Sequence, residues 1–154
     1  VRTAIVPAES GAGESGDAPG AISKFDCVLV DAPCSGFGTV RRHPALKWRL
    51  TDKTVSRLAA RQSAILAGNA AHVRKGGILV YATCSLLPQE NGAVVRNFLA
   101  THPDFTPAPL APHFSAAGIS SKPLRKKMDA LLLPPDLLDS DGFFMARFHR
   151  RHDL

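Results

Sequence analysis

Two short apolar runs, each followed by Cys-Ser, constrain this chain more than any other feature. Phe25 to Val30 reads as a buried strand, stopped where Asp31-Ala-Pro33 begins because proline cannot donate to a β-ladder. Cys34-Ser35 follows. Gly76-Gly-Ile-Leu-Val-Tyr-Ala-Thr83 is a second strand pattern, and it runs into Cys84-Ser85. Between the two, Leu58, Ile65, Leu66, Ala70 and Val73 recur at helical spacing, while Arg57, Arg61 and Lys75 lie largely off that stripe. Thr51 or Thr54 can cap the helix, which is predicted to run to about Arg74 and to stop at Gly76-Gly77. Strand, helix and strand over Phe25 to Cys84 form one βαβ unit, whose strands are parallel and joined by a right-handed crossover. If the two strands are neighbours, both sulfurs open onto one crevice at the strands' carboxyl ends, the edge where open α/β sheets bind ligands.

The rest of the chain fits an α/β domain around that unit. Pro44 to Thr51 is expected to be irregular. Pro88 suits the first turn of another helix, with Val94, Val95, Phe98 and Leu99 as its apolar face and Pro103 as its end. Asp104 to Asp141 is Pro-rich and weakly periodic, which predicts strand fragments and loops, with a basic knot at Lys122, Arg125, Lys126 and Lys127. Asp141-Gly142 is a turn before a strand over Phe143 to Phe148. At the other end, Thr3 to Pro7 reads as a short strand and residues 10–21 as a flexible surface loop. Gly11-Ala-Gly13-Glu-Ser-Gly16 in that loop matches a dinucleotide-binding pattern, but such a loop must open a helix and Asp17-Ala-Pro19-Gly20 follows instead, so the match is a decoy. At 154 residues the chain is a single domain, residues 1–154, and is short for a complete doubly wound nucleotide-binding fold.

Three cysteines are too few for a disulfide framework and leave thiols available for nucleophilic work. No cysteine pair has zinc-ligand spacing and the six histidines show no metal spacing or triad order, so no metal is expected. No secretory signal and no apolar run of membrane-spanning length is present, which gives the expectation of a soluble, cytoplasmic chain, with a nuclear or organellar one as the alternative, that does not engage a membrane. The formal charge of +6 favours a polyanionic partner, and Arg41, Arg42, His43, Lys47 and Arg49 gather directly after the Cys34 loop, which points to nucleic acid. Cys27, inside the first strand, reads as a small core hydrophobe. Trp48 could stack on a base or pack in the fold, and packing is the preferred reading. Neither Cys34 nor Cys84 has a charged sequence neighbour that would activate it. A cysteine hydrolase pairing either thiol with a histidine is a further reading, with no histidine in a motif context to support it.

Asp31-Ala-Pro-Cys-Ser-Gly36 with Arg41-Arg42, Lys47 and Trp48, then Thr83-Cys84-Ser85 with Glu90-Asn91, then Asp141-Gly-Phe-Phe-Met-Ala146 stand in one order. That order resembles the Sun/Fmu-type RNA cytosine-5 methyltransferases, called NSUN proteins in eukaryotes. The resemblance covers roughly Phe25 to Arg147. It implies a Rossmann-like, S-adenosylmethionine-dependent methyltransferase fold, incomplete at the N-terminus, because the family's Gly-rich cofactor loop should precede Val1. Cofactor affinity of the chain alone is therefore expected to be poor. The implied cofactor is S-adenosylmethionine and the implied partner is RNA, either rRNA or tRNA; oligomeric state is not implied.

The same resemblance assigns residues. Cys84 would be the nucleophile that adds to carbon 6 of cytosine, which makes the electron-poor carbon 5 enamine-like and able to accept a methyl group. Cys34 would assist release of the product. Asp31 would lie near both cofactor and base, and Arg41, Arg42 and Lys47 would hold the backbone of an RNA whose target base is splayed from its stack. Glu90 and Asn91 would cap or orient the helix after Cys84. Gly92 departs from the family, standing where an acid often follows Glu-Asn. The alternative is a non-catalytic RNA-binding module that keeps the basic face and carries the thiols as vestiges.

Overall fold

A computed structural model describes residues 24–116, 125–127, 130–135 and 140–152. The expected strand at Thr3 to Pro7, the Gly-rich segment 10–21 and Lys122 lie outside the described residues. In chain order the elements are β1 (Phe25–Asp31), a 3-10 turn (Phe37–Thr39), α1 (Leu46–Arg49), α2 (Asp52–Ala70), β2 (Val73–Thr83), α3 (Gly92–Thr101), β3 (Phe105–Pro107), α4 (Ala111–Ala116), β4 (Arg125–Lys127), β5 (Ala130–Leu133) and β6 (Phe143–Arg150). The sheet runs β1-β2-β6-β5-β4, with β3 paired to the far half of β6. β1 and β2 are parallel neighbours, as the βαβ pattern requires, and β6 joins β2 antiparallel.

Thr51 caps α2, its hydroxyl accepting from the Thr54 N–H at 3.2 Å, and Asp52 adds an acidic residue at the positive end of the helix dipole. The buried face of α2 is Val55, Gln62, Leu66 and Ala70, packed with the buried face of α3, Val94, Val95 and Phe98, on one side of the sheet. Beneath them Val30, Tyr81, Ala146 and Ala130 stand in register across β1, β2, β6 and β5, all buried, and form the floor of the core. Leu110 and Leu131, with Phe114, Leu133 and Met145, make a smaller cluster.

Five expectations are corrected. α2 ends at Ala70, not near Arg74, because Val73 is already strand: it pairs with Phe25, whose N–H bonds the His72 carbonyl at 2.8 Å. Val73 satisfies both the helical stripe and the strand, so periodicity alone could not place the boundary. Gly76-Gly77 do not stop the helix but carry a bulge, where the pairing jumps from Phe25–Val73 to Cys27–Ile78 and Gly76 takes φ +72°. Pro88 begins a turn ahead of α3 and is not in its first turn; the Asn91 and Ala93 N–H groups bond its carbonyl at 3.4 and 3.0 Å, and the helix starts at Gly92. α1 forms in a stretch expected to be irregular, and α4 forms in one expected to hold strand fragments and loops, where β3, β4 and β5 are the strand fragments. Finally, Cys27 is exposed and Leu29 is 64% exposed, so β1 is not buried on both faces. Cys27 and Leu29 alternate along β1 with Val28 and Val30, the side chains that face the α2 and α3 core, and so lie on the opposite face of the sheet.

Candidate active site

Where β1 and β2 end, their pairing carries on into the loops. The Ala32 N–H bonds the Ala82 carbonyl at 2.9 Å, and the chain then turns so that Cys34 Sγ lies 3.2 Å from Cys84 Sγ. The two sulfurs therefore lie side by side at the carboxyl ends of neighbouring parallel strands, as the paired Cys-Ser motifs predict. The Gly38 N–H next bonds the Cys84 carbonyl at 2.9 Å, and the Gly38 carbonyl accepts from the Gly142 N–H at 2.7 Å. All three sequence motifs therefore meet at Gly38. A Cβ there would lie 2.1 Å from the Gly142 carbonyl oxygen and 2.8 Å from that of Cys84, so only glycine lets the backbones approach this closely.

Beneath the sulfurs lies a buried polar network. Glu90 is fully buried; its Oε1 accepts from the Ser35 N–H at 2.8 Å and from Gln62 Nε2 at 3.0 Å, and its Oε2 accepts from the hydroxyls of Ser35 and Ser85. Gln62 Nε2 also donates to the Pro33 carbonyl at 2.9 Å, and the Tyr81 hydroxyl donates to the Glu90 carbonyl at 2.6 Å. Asn91 Nδ2 donates to the Ser85 carbonyl at 2.8 Å while its Oδ1 accepts from the Thr83 hydroxyl at 2.7 Å. Among the described residues no buried side-chain nitrogen or oxygen lacks a partner. Glu90 and Asn91 thus do not cap α3, which has no side-chain cap bond; both reach back to the thiol loops.

Burial pushes the Cys34 thiol up to about 12, with the hydrogen bond to Cys84 adding to it. Cys34 therefore holds its proton at neutral pH. Arg42 forms two bonds with Asp141, Nε to Oδ1 at 3.0 Å and Nη2 to Oδ2, and holds that carboxyl below its usual range, with Arg41 and His43 adding to the field. Arg42 is raised in turn, chiefly by Asp141, and it also feels Cys84. Sequence neighbours offered no charge to Cys84; the fold brings Arg42 within its electrostatic reach. Burial also raises Tyr81.

Asp31 is exposed at the carboxyl end of β1, opposite Ala82. Arg41 and Lys47 are exposed, with the Lys47 ammonium 5.6 Å above the Trp48 ring. Trp48 itself is 82% exposed, which overturns the packing reading. α1 is a single turn that directs Leu46 toward Gly36, 3.7 Å from where a Cβ would stand, and this leaves the indole outside. Among the described residues no three His, Cys, Asp or Glu side chains could hold a metal, and no helix is long and apolar enough to cross a membrane. Sequence reading missed Gln62, Ser35 and Ser85 as site residues. A signal was present: Gln62 falls on the apolar stripe of α2, and each serine repeats the same step after its cysteine.

The mixed α/β sheet, with paired cysteines at its strand ends, is that of a Rossmann-like methyltransferase fold. The family described as 16S rRNA methyltransferase RsmB/F matches residues 7–149, and the chain belongs to it. Ribosomal RNA small subunit methyltransferase B of Klebsiella pneumoniae subsp. pneumoniae is 38% identical over 130 residues, which cover 84% of this chain and 27% of that protein. A crystal structure of a methyltransferase homologue from Pyrococcus horikoshii superposes with a TM-score of 0.64 at 28% identity, covering 83% of this chain and 40% of that one. NSun6 from Pyrococcus horikoshii, crystallised with SFG, gives a TM-score of 0.67 at 25% identity, over 85% and 31% of the two chains. The chain therefore spans about a quarter of the length of the curated relative it matches.

Proposed function

We propose that this chain carries the two-cysteine centre of an enzyme that methylates carbon 5 of a cytosine in RNA, either rRNA or tRNA, through a covalent cysteine adduct. The observation that carries this reading is the 3.2 Å separation of Cys34 and Cys84 at the ends of parallel strands. One sulfur can then reach carbon 6 of a pyrimidine while the other stays beside it. Cys84 is assigned the attack by its place in the Thr83-Cys84-Ser85 motif, which resembles the family's nucleophile motif; the burial that raises the Cys34 thiol suits Cys34 to the other role. The Cys84 thiolate, its proton given up to solvent, forms a bond to carbon 6; carbon 5 would then take the methyl group as the sulfonium carbon–sulfur bond breaks and leaves a thioether; solvent accepts the carbon 5 proton as the Cys84 carbon–sulfur bond breaks and frees the thiolate. Cys34, with its proton in place, can donate a hydrogen bond to the departing thiolate, which supports its role in release.

The cofactor implied is S-adenosylmethionine, of which SFG is an analogue, and it would supply a methyl group on a sulfonium. Of the described residues Asp31 fits it: an exposed carboxylate at the strand exit can accept hydrogen bonds from an amino group. Arg41, Lys47 and the outward face of Trp48 suit a phosphate backbone and an unstacked base beside the thiols, while Arg42 shares its charge with Asp141. The test is trapping on RNA containing 5-fluorocytosine, in which fluorine replaces the departing proton. A covalent complex that forms with the intact protein and is lost in Cys84→Ser supports the reading. RNA binding without any adduct would leave a binding module instead.

A further inference from the structure

Glu90 is the only fully buried carboxylate among the described residues, and its hydrogen bonds go to the residues beside the thiols and not to the sulfurs themselves. An ionised carboxylate offers about four acceptor sites; here the Ser35 N–H, the Ser35 and Ser85 hydroxyls and the Gln62 amide fill them. Ser35 directly follows Cys34 and Ser85 directly follows Cys84, so one side chain grips both cysteine loops at the same step. Gln62 extends the grip to the Pro33 carbonyl, on the other side of Cys34. An apolar side chain could fill this volume without the cost of burying a charge, but it would orphan two hydroxyls and two N–H donors. That cost is met where both sulfurs must face a single ring.

From these contacts we infer that Glu90 is a positioning residue: through Ser35, Ser85 and Gln62 it holds Cys34 and Cys84 at a joint distance. The inference rests on the cytosine reading for its purpose, but the geometry can be measured without it. Glu90→Gln keeps Oε1 for the two N–H donors and points its NH2 at hydroxyls that can turn to accept, so the loops stay joined. Glu90→Ala removes every link made through the carboxylate but leaves the direct Ser35 Oγ to Ser85 Oγ contact at 3.3 Å, whereas the double variant Ser35→Ala/Ser85→Ala removes that contact together with the links to Oε2.

The probe is phenylarsine oxide, which needs two adjacent thiols: arsenic forms two As–S bonds, and its oxygen leaves as water with the two thiol protons. Alkylation of single thiols by iodoacetamide is run in parallel on the intact protein. The expected result is capture by the wild type that is lost in Cys84→Ser, retained within about threefold in Glu90→Gln, and slowed about tenfold or more in Glu90→Ala, without slower alkylation. A generally loosened core would speed alkylation and leave the order among variants unexplained. If Glu90→Ala does not fold, Glu90→Asp decides: its carboxylate is withdrawn by one methylene while the Ser35–Ser85 contact stays, and it too must capture more slowly. Wild-type capture rates in Glu90→Ala or Glu90→Asp, or no capture by the wild type, overturn the inference. Ordered capture with no adduct on 5-fluorocytosine RNA would keep Glu90 in this role and remove the methyl-transfer reading; adduct formation with unaltered capture would do the reverse.

Discussion

Cys34 and Cys84 owe their character to different surroundings although each ends a strand and precedes a serine. The ordinary thiol value of 9.0 is raised to about 12 at Cys34, first by burial and then by Cys84. Iodoacetamide labelling of Cys34, read by peptide mass, should therefore rise only in strongly alkaline solution, and Cys84→Ala, which removes the partner but not the burial, should move that midpoint down. A midpoint near 9 in the wild type would contradict the assignment. Since the folded state holds the Cys34 proton more tightly than the unfolded chain, the stability this contributes is fully present below pH 9 and is lost as pH rises toward 12; chemical denaturation of Cys34→Ser should lose less over that window. In RNA trapping, Cys34→Ala is expected to retain attack by Cys84 and to accumulate a protein–RNA adduct on a denaturing gel, and equal loss of adduct in both cysteine variants would reverse the division of labour. Both cysteines were legible because each sits at the end of an apolar run. The protonation of Cys34 was not, because it depends first on burial that only the folded chain supplies and then on a neighbour 50 positions away in sequence.

At the scale of elements, the βαβ unit was readable because its signals are local: β-branched runs, a threonine cap and a helical stripe. Thr51→Ala should cost about 1 kcal/mol in urea denaturation, since it removes the hydroxyl that satisfies the Thr54 N–H. The boundaries failed where one residue served two patterns. Val73 continues the stripe of α2 and starts β2, and the diglycine that suits a helix stop also suits a bulge. Gln62 was passed over for a related reason, because a polar residue on an apolar stripe counts against the stripe until its partners, Pro33 and Glu90, are known. Glu90 and Asn91 stand where helix caps stand, and only the turn from Pro88 to Asn91 shows that their side chains face back toward the sulfurs. The exposure of Trp48 likewise follows from α1 being a single turn, a length that apolar spacing cannot register.

Across the whole molecule, the proposed RNA contact is a matter of charge. Arg41 and Lys47 are exposed in the segment that follows the Cys34 loop, so RNA affinity should fall steeply with salt as phosphate contacts release counterions, and Arg41→Ala should flatten the slope of log affinity against log salt by about 1. An unchanged slope in filter binding would remove Arg41 from the contact surface. The net charge of +6 announced a polyanion, but composition could not say that Arg42 would spend part of its charge on Asp141. Gly38 holds a longer-range implication. Three stretches far apart in sequence touch at one α-carbon, with no space left for even a methyl group. Any drift in one of them must be matched by the other two, so during divergence the cysteine loops and the Asp141-Gly142 corner are bound to vary as a set, and swapping one alone between distant relatives should break the centre.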